Sequence, residues 1–350
     1  MSKPGGMISV PVVKAGPWTV RVRRRAVLVS VLLLLAVVVM IVVSLSAGVN
    51  SFPIPRVIDA IMGNGSPAEK LIVAELRLPR AVTAALVGMA LGISGAIFQS
   101  LTRNPLGSPD VVGFTTGAST GALVVLLILH GGLAATSIGA VAGGAITAGA
   151  VLVLSSRHGV APLRLVLVGI GAAAMLNALN SLLIVRAQVY DAQSASVWLV
   201  GNVVGRDWTD VRLIGGILVI GLVACLALWR PLSLSEFSDE RSMSLGLAVG
   251  RTRLVAVVVG VLLASGAVAV AGPIQFIALT APQVARRLTG AQGANLTASG
   301  LTGALLLLVA DLAAREAFQP RQLPVGVLTG IVGGAYLAWL LGREWRRGRT

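Results

Sequence analysis

The sequence has few of the charged, aromatic, cysteine and histidine residues that soluble domains and metal or catalytic sites commonly use. Charged residues make up 12% of its 350 positions and aromatic residues 4%. The single cysteine, Cys225, lies in an apolar run, which excludes a disulfide framework or a thiolate metal cluster and predicts a small buried side chain. The two histidines form no His-Glu-x-x-His pair, so no metal site is predicted. No lysine lies between a glycine and a serine or threonine, so the chain has no P-loop and no cofactor of its own is expected.

Long apolar runs are what the sequence does contain. Hydrophobic residues make up 56% of the chain and the mean hydropathy is +0.90. Charge-free runs recur near the roughly 20 residues that cross a bilayer as a helix, so we predict an all-α polytopic membrane protein. About ten transmembrane helices are expected, at 26–46, 81–101, 111–129, 133–155, 165–185, 211–229, 254–271, 274–285, 296–310 and 325–341. The eighth is short and has prolines at its ends, which predicts a broken or steeply placed helix that faces protein rather than lipid.

The basic residues indicate the topology. The formal net charge is +15, but the arginines lie between apolar runs rather than on one surface, which argues against nucleic acid as a partner. With both termini in the cytoplasm, about two thirds of the 28 lysines and arginines fall on inner segments. The run at 26–47 is too long for a signal peptide, so we interpret it as a retained first helix. The predicted regions are a cytoplasmic tail at 1–25, a transmembrane domain at 26–342 and a cytoplasmic tail at 343–350.

A weak internal repeat relates the two halves of the chain. Three pairs of residues recur at one offset of about half the chain length, and the predicted topology makes the two copies run in opposite directions, as in transporters built from inverted repeats. In a chain with 42 glycines, chance is the alternative. The pairs are Gly95 with Gly272, Pro105 with Pro282, and Gly113 with Gly290.

Ion-coupled carriers and intramembrane proteases are two other classes of membrane protein with recognisable sequence features. An ion-coupled carrier places acids or histidines at mid-membrane, and the predicted spans contain no acid at mid-depth. Asp311 comes closest, as a helix-end acid paired with Arg315 four residues on. The string Gly-Ile-Ser-Gly at 92–95 is typical of intramembrane serine proteases, but Ser94 would need a base and no histidine lies in a later span. Close helix packing explains that string better.

A series of segments in order along the chain resembles one family. The FecCD family, to which these segments are similar, comprises the permeases of iron-siderophore, haem and vitamin B12 ABC importers. Relatives often have Gly, His and Glu where this chain has Gln275, Gln283 and Gln322, which weakens any transfer of substrate identity. The segments are Leu-Arg-Leu-Pro-Arg at 76–80, Leu-Val-Gly-Met-Ala-Leu-Gly-Ile-Ser-Gly-Ala at 86–96, Arg-Asn-Pro-Leu-Gly at 103–107, Trp-Leu-Val-Gly at 198–201, Gly-Pro-Ile-Gln-Phe-Ile-Ala-Leu-Thr-Ala-Pro-Gln-Val-Ala-Arg at 272–286, Ala-Asp-Leu-Ala-Ala-Arg at 310–315, and Leu-Pro-Val-Gly-Val at 323–327.

The resemblance implies a BtuC-like ten-helix subunit in a bacterial cytoplasmic membrane. Such a subunit pairs with itself or with a similar permease, and two ATPase subunits, which bind the ATP, dock beneath. A binding protein delivers a ferric siderophore from outside, and its carboxylates meet permease arginines. The resemblance assigns this role to Arg77, Arg80 and Arg315, and the arginine side chain is suited to bidentate pairing with carboxylates. The alternative is that these arginines only end helices.

The segment 230–253 is the position of the family's coupling helices, which seat in a groove of the ATPase. Ser233 and Glu236 have capping-box spacing for a short helix, and Gly246 is expected to break it from the next. A solvated loop is the alternative, although exposed apolar residues are unusual in one. The residues that the resemblance assigns to coupling are Glu236, Asp239, Glu240, Arg241, Met243, Leu245, Gly246 and Leu247.

Polar residues on apolar faces are candidates for the substrate pathway. Asn177 and Asn180 lie three residues apart and so on one side of their helix. Gly159 lies in the segment 155–164, where relatives narrow the inner end of the path. Helix–helix hydrogen bonds are the alternative for the polar residues. The remaining candidates are Gln99, Asn104, Gln275 and Gln283.

Overall fold

The fold is known from a computed structural model. It describes residues 12–15, 18–21, 24–48, 51–155, 162–235, 237–291, 293–317 and 322–347. Two of the predicted site residues, Gly159 and Glu236, lie outside the described residues.

Nearly all of the described chain is helical. The exception is a short antiparallel hairpin of β1 (Val12–Ala15) and β2 (Trp18–Arg21), in which Val12 lies opposite Arg21. The helices are α1 (Arg24–Ser46), α2 (Ile54–Ile61), α3 (Pro67–Lys70), a π-helical segment (Leu71–Arg77), α4 (Leu78–Thr102), α5 (Phe114–Leu127), α6 (Leu133–Ser155), α7 (Pro162–Arg186), α8 (Val189–Leu199), α9 (Trp208–Leu234), α10 (Asp239–Ser244), α11 (Val249–Ala271), α12 (Ile277–Thr289), α13 (Leu296–Glu316) and α14 (Val325–Arg347).

Each predicted span corresponds to one helix, which confirms the all-α membrane fold. Seven of the described helices are long and apolar enough to cross a membrane. The others matched to predicted spans are α5, α12 and α14. With 14 and 13 residues, α5 and α12 each rise about 20 Å, less than the roughly 30 Å of a hydrocarbon core. The prediction that the eighth span is short and faces protein is confirmed, because α12 is mostly buried.

The helices α2, α3, α8 and α10 lie between the spans, and only a short helix near α10 was predicted. None of them contains an apolar run of membrane length, so the hydrophobic pattern does not predict them as spans. The helix α3 begins with a capping box, in which Ser66 and Glu69 satisfy each other's backbone N–H groups. It continues through the π-helical segment into α4, so that Pro67–Thr102 is one continuous helix.

The centre of the bundle is formed by α4 and α11. Of the most apolar stretch of each helix, 83% is buried for Pro67–Thr102 and 78% for α11, whereas only 11% is buried for α1 and for α7. Small residues bring the central helices together. A Cβ atom added at Gly88 of α4 would lie 2.3 Å from the carbonyl oxygen of Gly303 in α13. Close approach of this kind is how helices associate in a bilayer, where apolar surface alone gives little driving force.

The residue pairing predicted for the internal repeat is wrong. Gly95 lies inside α4, whereas Gly272 follows the end of α11, and Pro105 lies between helices, whereas Pro282 lies inside α12. Gly residues are too frequent in this chain for three matches at one offset to identify equivalent positions.

A repeat of elements is nevertheless present at a different register. A long helix is followed by a short one in both halves, α4 by α5 and α11 by α12, and each short helix begins after a residue with left-handed backbone, Gly113 and Phe276. Packing agrees, since α4 contacts α13 as α11 contacts α6, and α5 contacts α6 as α12 contacts α13. The opposite orientation of the two halves stays a prediction.

Candidate functional site

A polar cavity of about 460 Å³ lies between α5, α7 and α12. The α4–α5 connection contributes Ser108 and Asp110, and the segment before α12 contributes Gln275. The other polar side chains of the lining are Thr115, Thr116, Ser119, Asn177, Asn180 and Ser181. Three of the predicted pathway residues, Asn177, Asn180 and Gln275, are therefore brought to one cavity.

The two asparagines of α7 share one side of the helix, as their spacing predicts. Asn177 is exposed, whereas Asn180 is only 5% exposed and its Oδ1 atom has no hydrogen-bond partner among the described residues. An unpaired buried acceptor costs free energy unless a ligand or water donates to it. The Asn180 amide oxygen is therefore available to a donor group inside the cavity.

Asp110 is the residue of this cavity that the sequence analysis missed. It is half-buried, and its carboxylate accepts hydrogen bonds from the Thr115 hydroxyl and the Phe276 N–H group. Burial raises the pKa of Asp110 to about 6, and these two hydrogen bonds only partly offset that effect. Asp110 immediately precedes the predicted span 111–129, and its position before a Gly-rich helix start was the available signal.

The chemistry of the lining is that of hydrogen bonding. Hydroxyl and amide groups can donate to and accept from a polar ligand, and Asp110 adds one carboxylate. Among the described lining residues there is no lysine, arginine or histidine. The cavity can therefore hold a polar solute through hydrogen bonds.

The other predicted pathway residues hold backbone groups instead. Gln99 is 1% exposed, and its Nε2 atom donates to the carbonyl of Leu279 at 2.9 Å, which joins α4 to α12. The Oδ1 atom of Asn104 accepts from the N–H of Leu106, which stabilises the turn after α4. Gln283 is half-buried, and its Nε2 atom donates to the carbonyl of Pro105. For these three residues the geometry favours helix and loop packing.

A second cavity, of about 410 Å³, is lined by residues of α8, of the segment after α8 and of the end of α11. Trp198, from the Trp-Leu-Val-Gly segment, lines it together with Asn202 and Arg206. Asn202 N–H donates to the Ala271 carbonyl at 2.7 Å, which holds this segment against the end of α11. The Nε atom of Arg206 is buried without a hydrogen-bond partner among the described residues.

The three predicted docking arginines lie together at one end of the bundle, but two of them are buried. Arg80 is 9% exposed and Arg315 8%, and both pair with Asp311, at 2.8 and 3.6 Å. Arg315 Nη2 also donates to the Ser44 hydroxyl at 2.6 Å. The predicted Asp311–Arg315 pair is confirmed, and the unpredicted Arg80 contact extends it into a cluster that joins α1, α4 and α13.

Arg77 is the more accessible member of this group. It is half-buried at the end of the π-helical segment, and its Nη1 atom donates to the Leu45 carbonyl at 2.8 Å. Its guanidinium lies 5.3 Å from the centre of the Phe52 ring, a cation–π distance. These contacts orient the side chain at the rim of the bundle.

The predicted coupling segment contains a short helix, but not the predicted capping box. Ser233 lies inside α9 and donates to the Trp229 carbonyl, because α9 continues to Leu234. The short helix is α10, which begins after Ser238. The prediction for Gly246 is confirmed: it ends α10 with φ 81°, and the next N–H, of Leu247, donates back to the Ser242 carbonyl.

The coupling segment exposes large apolar side chains. Met243 is 57% exposed, Leu245 60% and Phe237 49%, whereas Leu247 is half-buried. Exposed large apolar side chains near charged residues are typical of a protein-binding surface.

Ser94 of the protease-like string has a packing contact. It is fully buried in α4, and its hydroxyl donates to the Gly260 carbonyl of α11 at 2.7 Å. A serine with its hydroxyl held by a backbone carbonyl joins two helices, as the packing interpretation predicted.

The fold and the cavity together define a multi-pass helical membrane protein with a polar cavity between its helices. Residues 34–343 match the FecCD transport family, and the chain belongs to that family. The prediction made from the sequence segments is thereby confirmed.

Curated relatives and a solved structure agree. The chain is 43% identical to the ferric enterobactin transport system permease protein FepG of Escherichia coli, over 94% of this chain and 99% of the relative. It is 37% identical to the achromobactin transport system permease protein CbrC of Dickeya dadantii, over 97% and 99%. A structure of an inward-facing metal-chelate type ABC transporter covers 90% of this chain and 99% of its own, with a TM-score of 0.82 at 25% identity.

Proposed function

We propose that the chain is the membrane-spanning permease subunit of an ABC importer that moves a ferric siderophore, or a similar iron chelate, across the bacterial cytoplasmic membrane. The observation that carries this proposal is the polar cavity between α5, α7 and α12 in an otherwise apolar bundle. The iron-chelate permeases among its relatives support the choice of cargo. The distribution of basic residues supports a cytoplasmic position for both termini.

The energy would come from separate ATPase subunits. The sequence has no P-loop, so ATP must be bound by partner chains. The exposed apolar side chains of Phe237, Met243 and Leu245 supply a surface on which such a partner can dock. The exposed charges of Glu240 and Arg241 would form its polar rim.

Two further partners complete the proposed importer. A second permease, identical or similar, would cover the face of α7, of which little is buried within this chain. An extracytoplasmic binding protein would meet the end of the bundle that carries Arg77, and Arg80 and Arg315 would shape that end from inside. The permease supplies no covalent chemistry in this scheme. ATP-driven motion opens the path first to one side and then to the other, and a cavity that binds cargo weakly allows release.

The proposal is tested by reconstituting the chain with its ATPase, its binding protein and any second permease in liposomes. We expect uptake of radioactive iron chelate that requires ATP hydrolysis and continues when ionophores remove all ion gradients. Uptake that proceeds unchanged without ATP would refute the proposal.

An ion-coupled carrier is the second candidate, and Asp110 is the observation in its favour. A half-buried carboxyl in a transport cavity is the kind of group that a proton-coupled mechanism uses. That mechanism predicts that an uncoupler abolishes uptake while ATP is held constant, and that Asp110→Asn removes the response to the proton gradient. ATP-driven uptake that is indifferent to the uncoupler would exclude it.

A further inference from the structure

One acid of the coupling segment is bound by two arginines from different helices. The Oδ1 atom of Asp239, in the first turn of α10, lies 2.6 Å from Nη2 of Arg103 and 2.7 Å from Nη2 of Arg253. Its Oδ2 atom accepts a third hydrogen bond from Arg253 at 2.9 Å. Arg103 follows α4 and Arg253 lies near the start of α11, so one carboxylate joins α10 to both central helices of the bundle.

Arg103 holds the coupling segment at two points. Its Nε atom donates to the Ser235 carbonyl at 2.9 Å, and its Nη2 atom donates to Oδ1 of Asp239. The guanidinium therefore binds both the end of α9 and the start of α10. Arg103 also has left-handed backbone angles, φ 49° and ψ 30°, which are uncommon for a residue other than glycine. The two contacts compensate a strained residue at the point where α4 ends.

The same arginine begins the connection that leads to the cavity. Within the connection 103–113, Ser108 and Asp110 line the cavity between α5, α7 and α12. Pro105 of this connection accepts a hydrogen bond from Gln283 of α12. Side-chain contacts therefore join α10 through Asp239 to Arg103, and the polypeptide chain itself continues from Arg103 to Ser108 and Asp110 in the cavity wall.

The contact between Asp239 and Arg103 is placed so that it can transmit motion. The side chains are 41% and 33% exposed, so the pair lies at the edge of the bundle beside the exposed Met243. Partial burial of Asp239 raises its pKa, but hydrogen bonds from both arginines lower it by more, so the pKa lies below its usual value. The carboxylate is therefore charged at neutral pH. Charge-assisted bonds of this length are stronger than neutral ones.

We propose that Asp239 is a positioning residue of the transport cycle, which makes the connection 103–113 move with α10 when the ATPase moves α10. The inference rests on the proposed function and adds a specific link to it. Through Arg103, a displacement of the coupling segment reaches Ser108 and Asp110 and changes the cavity. Without the Asp239–Arg103 ion pair, the ATPase still binds α10 and hydrolyses ATP, but its motion changes the shape of the cavity less.

The test compares iron uptake with ATP hydrolysis in one preparation of the complete reconstituted importer. For Asp239→Asn and for Arg103→Gln, we expect hydrolysis to persist while the uptake per ATP falls about fivefold or more. Asp239→Glu, which keeps the charge, should recover part of the ratio. Asp59→Asn, in the exposed helix α2, removes a carboxylate remote from the link and should leave the ratio unchanged. Equal ratios in all these importers, or a fall in uptake matched by an equal fall in hydrolysis, would overturn the inference.

A second measurement separates linkage from folding. In a Cys225→Ala background, Arg103→Cys and Asp239→Cys are combined and joined by a flexible bifunctional maleimide. We expect the joined importer to regain uptake per ATP that the unjoined double variant lacks, because a covalent connection replaces the ionic one. No difference between the two would overturn the inference while the proposed function stands. An importer of unaltered sequence that takes up no chelate on ATP would instead refute the proposed function.

Discussion

Asp110 and Asp311 show how position decides the role of an acid in this bundle. Asp311 is 1% exposed and faces two guanidiniums, whereas Asp110 faces a hydroxyl and a backbone N–H. The first setting stabilises a carboxylate and uses it to bind helices together. The carboxylate of Asp110 has no cation among its described contacts, and Asp110 lines the cavity between α5, α7 and α12.

Asp311→Asn should strongly destabilise the protein. The substitution leaves Arg80 and Arg315 buried without their counter-charge, which we expect to lower the free energy of unfolding by about 3–5 kcal/mol. The measurement is thermal and denaturant unfolding in detergent. Glu69→Gln is the control, because the Arg56–Glu69 pair is 3.7 Å long and the Arg56 side chain is 66% exposed, so it should cost less than about 1 kcal/mol. Equal effects of the two substitutions would contradict the structural role of the cluster.

Asp110→Asn should change stability in a pH-dependent way. Burial raises the pKa of Asp110 from 3.8 to about 6, so its ionised form lowers stability above about pH 6, and this penalty disappears as the pH falls toward 3.8. We expect the variant to melt at a higher temperature than the unaltered protein near pH 7.5, and the difference to vanish near pH 4. A variant that is less stable at neutral pH would show that the hydrogen bonds from Thr115 and Phe276 outweigh burial.

At the scale of the elements, the short helices α5 and α12 place the site. Both begin after residues with left-handed backbone, Gly113 and Phe276, and both contribute to the cavity lining. The connections that immediately precede α5 and α12 supply Asp110 and Gln275 to the cavity. Broken helices with polar ends at a cavity are a general device of transporters.

The packing of α12 against α4 depends on Gly95. A Cβ atom there would lie 1.7 Å from the Ala278 carbonyl oxygen, a distance that no relaxation of side chains alone can relieve. We expect Gly95→Ala to destabilise the protein by about 1–3 kcal/mol or more and to reduce the yield of folded protein in membranes. Gly216→Ala is the matched control, since nothing lies within 4 Å of its Cβ position, and it should be neutral or slightly stabilising. Equal yields of the two variants would contradict this packing.

Span positions could be predicted because membrane length imposes a strong pattern on sequence, and all ten predicted spans have a helix. The cavity could be predicted only in part. Asn177 and Asn180 stood out as polar residues on an apolar helix, whereas Asp110 lay one residue outside a predicted span. The burial of Arg80 could not be foreseen, because its partner Asp311 is distant in the sequence. The predicted register of the internal repeat was wrong because glycine is so abundant that glycine pairs recur at many offsets.

At the scale of the whole molecule, the arginine clusters lie at opposite ends. Arg80 lies in the first turn of α4 and belongs to the Asp311 cluster, whereas Arg103 follows the last residue of α4 and belongs to the Asp239 link. The predicted topology assigns the Arg80 end to the outer face and the Arg103 end to the cytoplasm.

Thiol labelling in a Cys225→Ala background tests this orientation. A membrane-impermeant maleimide should label Asn64→Cys, in the exposed turn after α2, in intact cells. It should label Arg241→Cys, on the exposed face of α10, only after the membrane is permeabilised. The reverse pattern would invert the topology and remove the basis for ATPase docking at α10.

The central claim is that the iron chelate passes through the cavity between α5, α7 and α12. The most direct measurement is uptake by an importer carrying Asn177→Cys in the Cys225→Ala background, because Asn177 is exposed in the cavity. We predict that a charged methanethiosulfonate reagent blocks uptake and that excess ferric chelate slows the reaction. Full uptake after complete modification of the thiol, with no protection by the chelate, would contradict the account.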